Sequence, residues 1–413
     1  MPESRLPFLF ILSLIACCIE VDISVPSFPE ISHYFKVSEN IVQLTIAYNF
    51  LGFCLSAFVF GPLSECYGRR KIMIIGNAIL LIGATLCVFA PSIEFLLVAR
   101  FVQGIGASTS AVIVFTMIAD IYKGEKAIRL IGIMNSVLTI LIAIAPIIGG
   151  FVNKTVGWRG NYTCVALISF ISWILLLFLL PETKIKLETF NLKDILKNYR
   201  KVLLNLEFFS SSMVPSLMYS AYMSFVACAS FLYMETFGLS VICYAAHQTV
   251  IVSFFAVAST LSGKLIQFLG NRGCIFLGIG LSLIGSILLM MLSIISPYSP
   301  LLTTISMSIF SLGFAISYPV IFSSSLEIFP EIKGIASSSI MAMRALLVGS
   351  IVSLSGYFYN GHPIRVATVI IIIIVLVPLL TSKLQKTLFL LNHRQNLTTS
   401  NINSKKQPQV TLI

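Results

Sequence analysis

Twelve apolar stretches of spanning length follow one another along the chain, and nothing else in the sequence restricts the fold as strongly. They cover residues 6–28, 42–64, 72–91, 94–118, 129–152, 161–181, 208–234, 244–268, 273–296, 301–326, 334–358 and 364–382. A helix needs roughly 20 apolar residues to cross a bilayer. Strands are ruled out for such runs, because barrel strands are shorter and alternate in character, and an open strand leaves its backbone unsatisfied in lipid. Composition agrees: 57% of the 413 residues are hydrophobic and 10% charged, against about 25% charged in soluble domains. The expected fold is an all-α polytopic membrane protein. The first stretch starts close to Met1, holds Glu20 and Asp22 and lacks a small-residue cleavage site, so it reads as a retained helix rather than a signal peptide. The nine cysteines are scattered through apolar runs and read as small buried hydrophobes.

The net charge of +11 would suit a nucleic-acid partner, but its distribution points to a membrane instead. With the N-terminus in the cytoplasm, 21 of the 27 Lys and Arg fall on the cytoplasmic side, Lys36, Lys154, Arg159 and Arg365 fall opposite, and Arg100 and Arg344 lie within the membrane. This is the positive-inside bias, and it favours an even number of spans with both termini inside. Between spans six and seven, Leu192, Ile195, Leu196, Tyr199, Val202 and Leu203 recur at helical spacing against Lys193, Lys197, Arg200 and Lys201. That pattern predicts an amphipathic connector on the inner leaflet. The polar tail from Leu388 predicts disorder.

Residues 61–86 align without gaps on 263–288, an offset of 202. Gly61, Gly68, Gly76 and Gly83 fall on Gly263, Gly270, Gly278 and Gly285, and Arg70 falls on Arg272. Leucine matches come cheaply in membrane sequence; four glycines at one offset do not. The repeat predicts two pseudo-symmetric six-helix bundles, 1–183 and 206–387, joined by a linker over 184–205 and followed by the tail 388–413. Halves of this kind hold substrate between them near the midplane and rock to give alternating access.

The loop after the second span, Gly61-Pro62-Leu63-Ser64-Glu65-Cys66-Tyr67-Gly68-Arg69-Arg70-Lys71, resembles the hallmark cytoplasmic-loop motif of the major facilitator superfamily, with Glu65 where aspartate is usual and Cys66 where arginine is frequent. The resemblance implies a cytoplasmic gate built on Gly61, Glu65, Gly68, Arg69 and Arg70. Arg100-Phe101-Val102-Gln103-Gly104 resembles the fourth-span motif tied to proton coupling. Ala145-Pro146-Ile147-Ile148-Gly149-Gly150 resembles the fifth-span antiporter motif, carried on Pro146, Gly149 and Gly150. Asp22-Ile23-Ser24-Val25-Pro26-Ser27-Phe28-Pro29, together with Phe231-Leu232-Tyr233-Met234-Glu235, is similar to the Bcr/CflA drug-resistance group.

Four charges lie within the membrane: Glu20, Asp22, Arg100 and Arg344. Each costs on the order of 3 kcal/mol near the bilayer centre, which makes each a functional candidate. Asp22 and Arg100 each lie about six residues from the outer end of a span, so their depths match; they are the expected proton-coupling pair, with a fixed structural ion pair as the plain alternative. Glu20 stands roughly 200° around a regular helix from Asp22, and its expected role is contact with substrate or with a polar neighbour. Arg344 is expected either to pair with Glu20 or Asp22 across the halves or to attract an anionic substrate. Tyr48, Tyr219, Tyr222 and Tyr318 each offer a flat face and a hydroxyl to a substrate cavity. No histidine has a partner at metal-ligand spacing.

Together these readings predict a proton-coupled antiporter of the bacterial inner membrane that exports small amphipathic, drug-like molecules. It would need no cofactor and no nucleic-acid partner, and would work as a monomer in the lipid bilayer. A transporter of a specific, anionic metabolite is one alternative, and a non-transporting receptor on the same fold is another. With no nucleophile–base or metal constellation, an enzyme is not expected.

Overall fold

The computed structural model describes residues 6–122, 124–184, 187 and 189–381. The expected disordered tail lies outside the described residues. Among them every regular element is helical: α1 Leu6–Cys18, α2 Phe28–Phe35, α3 Glu39–Tyr67, α4 Arg69–Val88, α5 Ile93–Ile121, α6 Gly124–Val156, α7 Trp158–Leu179, α8 Leu192–Leu203, α9 Leu206–Phe231, α10 Val241–Ile295, α11 Pro300–Leu326, α12 Lys333–Phe358 and α13 Pro363–Thr381. Ten of these are long and apolar enough to cross a membrane. One of them, α10, contains Gly270 at φ 69°, a non-helical break that divides it into two spans. The first span completes the twelve, and it is discontinuous.

Hydropathy predicts one helix over 6–28, with Pro26 and Pro29 expected to distort its outer end, but α1 already ends at Cys18, followed by turns, a 3₁₀ segment at Val25–Ser27 and then α2. Across the break the backbone bonds mix spacings: Ile23 N–H to Ile19 O, Ser24 N–H to Val21 O, Val25 N–H to Val21 O. The local sequence explains this. Pro26 and Pro29 lack the N–H that would bond four residues back. The Ser24 hydroxyl donates to the Val21 carbonyl at 2.8 Å, offering that carbonyl a non-helical partner. β-Branched Ile19, Val21, Ile23 and Val25 stiffen the segment against a helical turn.

The glycines of the repeat act in the same way in both halves. Gly68 (φ 95°) and Gly270 (φ 69°) both take the positive-φ turn between consecutive spans, a conformation that suits glycine. An added Cβ at Gly76 would meet Thr109 of α5, and one at Gly106 would meet Leu80 N at 2.1 Å. In the second half, Gly278 sits against Gly313 O at 2.6 Å and Gly313 against Ser282 N at 2.6 Å. The α4–α5 crossing therefore recurs as the crossing of 271–295 with α11. Gly106 corresponds to Gly313, an offset of 207 rather than 202, so five further residues enter near the loop before α11. This is why the ungapped alignment stops at Leu86.

The halves meet along α3–α12 and α6–α10. Two ends are distinguished by charge: a basic end carrying Arg69, Lys184 and Lys333, and the opposite end. At the opposite end the Phe28 and Phe231 rings lie 6.4 Å apart, and His33 Nε2 approaches Glu235 Oε1 at 3.3 Å. Connector α8 forms as its periodicity predicts, but it buries Tyr199 and Val202 against the bundles and leaves Leu192 and Leu196 exposed. The Tyr199 hydroxyl donates to the Phe58 carbonyl of α3 at 2.9 Å and lies 3.0 Å from Ser338 Oγ of α12, so the linker touches both halves. Burial pushes the Tyr199 phenol above its usual range, which keeps it a donor there.

Candidate transport site

Arg100 is fully buried on α5, and it meets Glu20 rather than Asp22. Its Nη1 lies 3.6 Å from Glu20 Oε2 and donates to Gln103 Oε1 at 2.7 Å. Asn49 of α3 donates to Glu20 Oε1 at 3.1 Å and to the Arg100 carbonyl at 3.3 Å. The glycines explain this choice of partner. Gly52 faces Phe101 O at 2.1 Å from its would-be Cβ, and Gly104 faces Asn49 O at 1.9 Å. Two backbones this close bring Asn49 onto the Arg100 turn, and Asn49 holds Glu20. Matched depth could not choose between two carboxylates two residues apart; this packing does. The pair is loose, since 3.6 Å exceeds a hydrogen-bond distance, and Arg100 Nε and Nη2 have no protein partner. The Tyr162 ring lies 5.9 Å from the guanidinium.

Asp22 looks the other way. It is 5% exposed, and its Oδ1 has no hydrogen-bond partner. It lies within electrostatic reach of Tyr219, Tyr222 and Tyr244, all from the second half. Gln248 donates to the Tyr222 hydroxyl at 3.3 Å, while Gln248 Oε1 and the Tyr244 hydroxyl stay unpartnered. The unwound first span thus sends one carboxylate into its own bundle and the other to the interface, where half-helix ends and unwound backbone commonly line transporter sites. Gly149 permits this approach: its would-be Cβ lies 2.2 Å from Ile23 O. Gly150 lies against Ala245 and Val241 of α10. Pro146 sits within α6, one turn away.

Arg344 is half-buried on α12. Its guanidinium lies 4.8 Å from the Tyr219 ring centroid, donates to the Tyr318 hydroxyl at 3.0 Å and approaches Met341 Sδ at 3.0 Å. Among the described residues no carboxylate lies within ion-pair distance of it, so the expected bridge to Glu20 or Asp22 is not made: Glu20 is turned into the first bundle against Arg100 and Asn49, and the guanidinium is engaged by Tyr219, Tyr318 and Met341. Phe50 and Phe314 flank Tyr219 at 6.2 and 6.1 Å between centroids. Tyr48 does not join this group; it is 38% exposed and lines a peripheral groove with Leu51, Leu346 and Ser350.

At the basic end Arg69 Nη2 bonds Glu65 Oε1 at 2.6 Å and its Nε bonds Asp120 Oδ2 at 3.2 Å. Lys184 pairs with the second Glu65 oxygen. Glu182 accepts from the backbone N–H of Arg69 at 2.9 Å and of Arg70 at 3.2 Å, capping the start of α4, where a carboxylate also meets the positive end of the helix dipole. Arg70 Nη2 donates to the Leu177 carbonyl at 2.9 Å. A Cβ at Gly61 would lie 3.7 Å from Ser338 Cβ across the halves. Gly61, Glu65 and Arg69 border a cavity of about 630 Å³ shared with α8 and the start of α12. Asn49, Asp120 and Gln248 are the members that sequence reasoning missed; Asn49 and Gln248 are buried polar residues on spans, which would have been the signal, whereas Asp120 is a partly buried acid where α5 reaches the basic end.

A family description, the Major Facilitator Superfamily, matches residues 10–353. The chain is 24% identical to the multidrug resistance protein MdtM of Escherichia coli O157:H7 over 381 residues, covering 91% of this chain and 93% of the relative. It is 24% identical to a bicyclomycin resistance protein homolog of Haemophilus influenzae, covering 86% and 91%. The xylose transporter XylE from E. coli, solved in a partially occluded inward open conformation, superposes with a TM-score of 0.71 at 14% identity, covering 92% of this chain and 98% of its own. With an all-helical polytopic fold and a family match over most of its length, the chain belongs to the Major Facilitator Superfamily of membrane transporters and not to a family of enzymes.

Proposed function

We propose that the chain exports small amphipathic molecules from the cytoplasm by alternating access, driven by proton entry without a cofactor, and that it works as a monomer with its basic end and both termini in the cytoplasm of a bacterial cell. The relatives named for multidrug and bicyclomycin resistance support export of drug-like compounds. The observation that carries the coupling is the pair of carboxylates on one unwound span, Glu20 against Arg100 and Asp22 without a cation. Asp22 carries the transported proton. When the first span turns, Asp22 replaces Glu20 beside the loosely held Arg100 and releases its proton, because a nearby cation favours the carboxylate. Substrate sits between the halves among Tyr219, Tyr222 and Tyr318. The gate at Glu65 and Arg69 parts and re-forms at the cytoplasmic side.

The test uses purified protein in liposomes loaded with a pH-sensitive dye. A panel of amphipathic drugs should drive proton movement through the wild type and none through Asp22→Asn. Substrate-driven proton movement that persists in Asp22→Asn overturns the reading.

A further inference from the structure

Among the described residues Arg344, at membrane depth, has no acid as partner. Its neighbours are a tyrosine face, a tyrosine hydroxyl and a thioether, and none of them neutralises a guanidinium. Because the Tyr318 hydroxyl accepts from Arg344, its own proton remains free to donate. Arg344 and Tyr318 therefore present two donors to the same place, with the flat fork that suits a carboxylate, sulfonate or phosphate.

Near Tyr219 and Tyr222 stands a group of reversed chemistry. Asp22 Oδ1 and Gln248 Oε1 are buried acceptors with no donor among the described residues, each on a side chain at least nine-tenths buried. Buried polar atoms are nearly always paired, and two orphan acceptors facing one interface ask for a donor from outside the chain. Tyr219 lies within the field of both Arg344 and Asp22, and Phe50 and Phe314 extend its apolar wall.

We infer that the exported molecule is an amphipathic zwitterion, its anionic group held by Arg344 and Tyr318, its protonated amine held by Asp22 and Gln248, and its apolar body lying along Tyr219. The inference rests on the exporter reading and narrows it. It also explains exchange at one group: the amine and the transported proton compete for the same carboxylate, so Asp22 holds one or the other.

The experiment compares three probes with one naphthalene body on the full-length protein in detergent by equilibrium dialysis: 6-(aminomethyl)-2-naphthoate, its methyl ester and its N-acetyl derivative. The wild type should bind the zwitterion at least tenfold more tightly than either blocked form. Arg344→Gln should erase the advantage over the ester and keep the advantage over the N-acetyl form; Arg344→Lys should keep part of both. Asp22→Asn should do the reverse of Arg344→Gln. A wild type with no preference for the zwitterion, binding of none of the probes, or preferences that neither substitution changes overturns the inference. Proton flux separates the two readings. If the zwitterion binds through both residues yet drives no proton movement in liposomes, the exporter reading fails and the site stands. If uncharged drugs drive Asp22-dependent proton flux while the three probes bind alike, the zwitterion inference fails alone.

Discussion

At the scale of single residues, the Glu20–Arg100 pair is where energetics and function meet. Both groups are almost fully buried, so each depends on the other and on Asn49 and Gln103. Removing one member of a buried pair leaves an uncompensated charge and costs about 3–5 kcal/mol, whereas removing both costs far less. Glu20→Gln should therefore lower the thermal unfolding midpoint in detergent markedly, and the double variant Glu20→Gln/Arg100→Gln should recover most of the loss. Equal destabilisation by the single and double changes would count against mutual dependence. The charges themselves were legible in the sequence, because an acid or base inside an apolar stretch stands out. Their partners were not. Asp22 and Arg100 share a depth, but depth is one coordinate, and the contact is settled by side-to-side packing at Gly52 and Gly104, which no spacing within one helix can reveal. Arg344 shows the same limit: the sequence left two partners open, and the guanidinium packs on the Tyr219 ring and bonds the Tyr318 hydroxyl instead of bridging to either.

At the scale of elements, the discontinuous first span matters most. Hydropathy saw twelve crossings and missed the break, because Ile19, Val21, Ile23 and Val25 are as apolar in a turn as in a helix. Pro26 and Pro29 marked its outer edge but not where it starts. Helix α6 is fitted to this break through Gly149, and a side chain there would overlap the Ile23 carbonyl. Overpacking of this kind costs typically 1–3 kcal/mol. Gly149→Val should thus cut transport in membrane vesicles at least tenfold, while Gly132→Val on the same helix, where a Cβ meets open space, should transport at close to the wild-type rate. Similar losses at both positions would show that α6 tolerates no added bulk anywhere and would remove the argument from the Ile23 contact.

At the scale of the whole molecule, the repeat was visible in sequence only from the end of span 2 through span 3 and over the matching part of spans 8 and 9, since five inserted residues shift the register before α11. The structure carries it further, to the Gly106 and Gly313 crossings. The symmetry is one of packing and not of charge: Arg100 falls opposite Met307 at the same shift of 207. Rocking of the halves predicts that α3 and α12 separate at the basic end. The would-be Cβ of Gly61 lies 3.7 Å from the Ser338 Cβ, within the 3.5–4.5 Å that a disulfide requires. In a background freed of the nine native cysteines, Gly61→Cys/Ser338→Cys should stop transport under oxidation and regain it on reduction; an oxidised, cross-linked protein that transports normally would rule out separation there. The four membrane-depth charges have one further consequence, for voltage. Glu20, Asp22, Arg100 and Arg344 balance when all are ionised, so these four groups give the carrier itself no net charge at membrane depth. A zwitterion adds no net charge either. Only the proton on Asp22 leaves the carrier with a net positive charge, and a charge crossing the membrane gains about 2.3 kcal/mol per 100 mV. The cell's membrane potential would then act on one limb of the cycle alone, as an electrical ratchet that pulls the proton-loaded carrier inward.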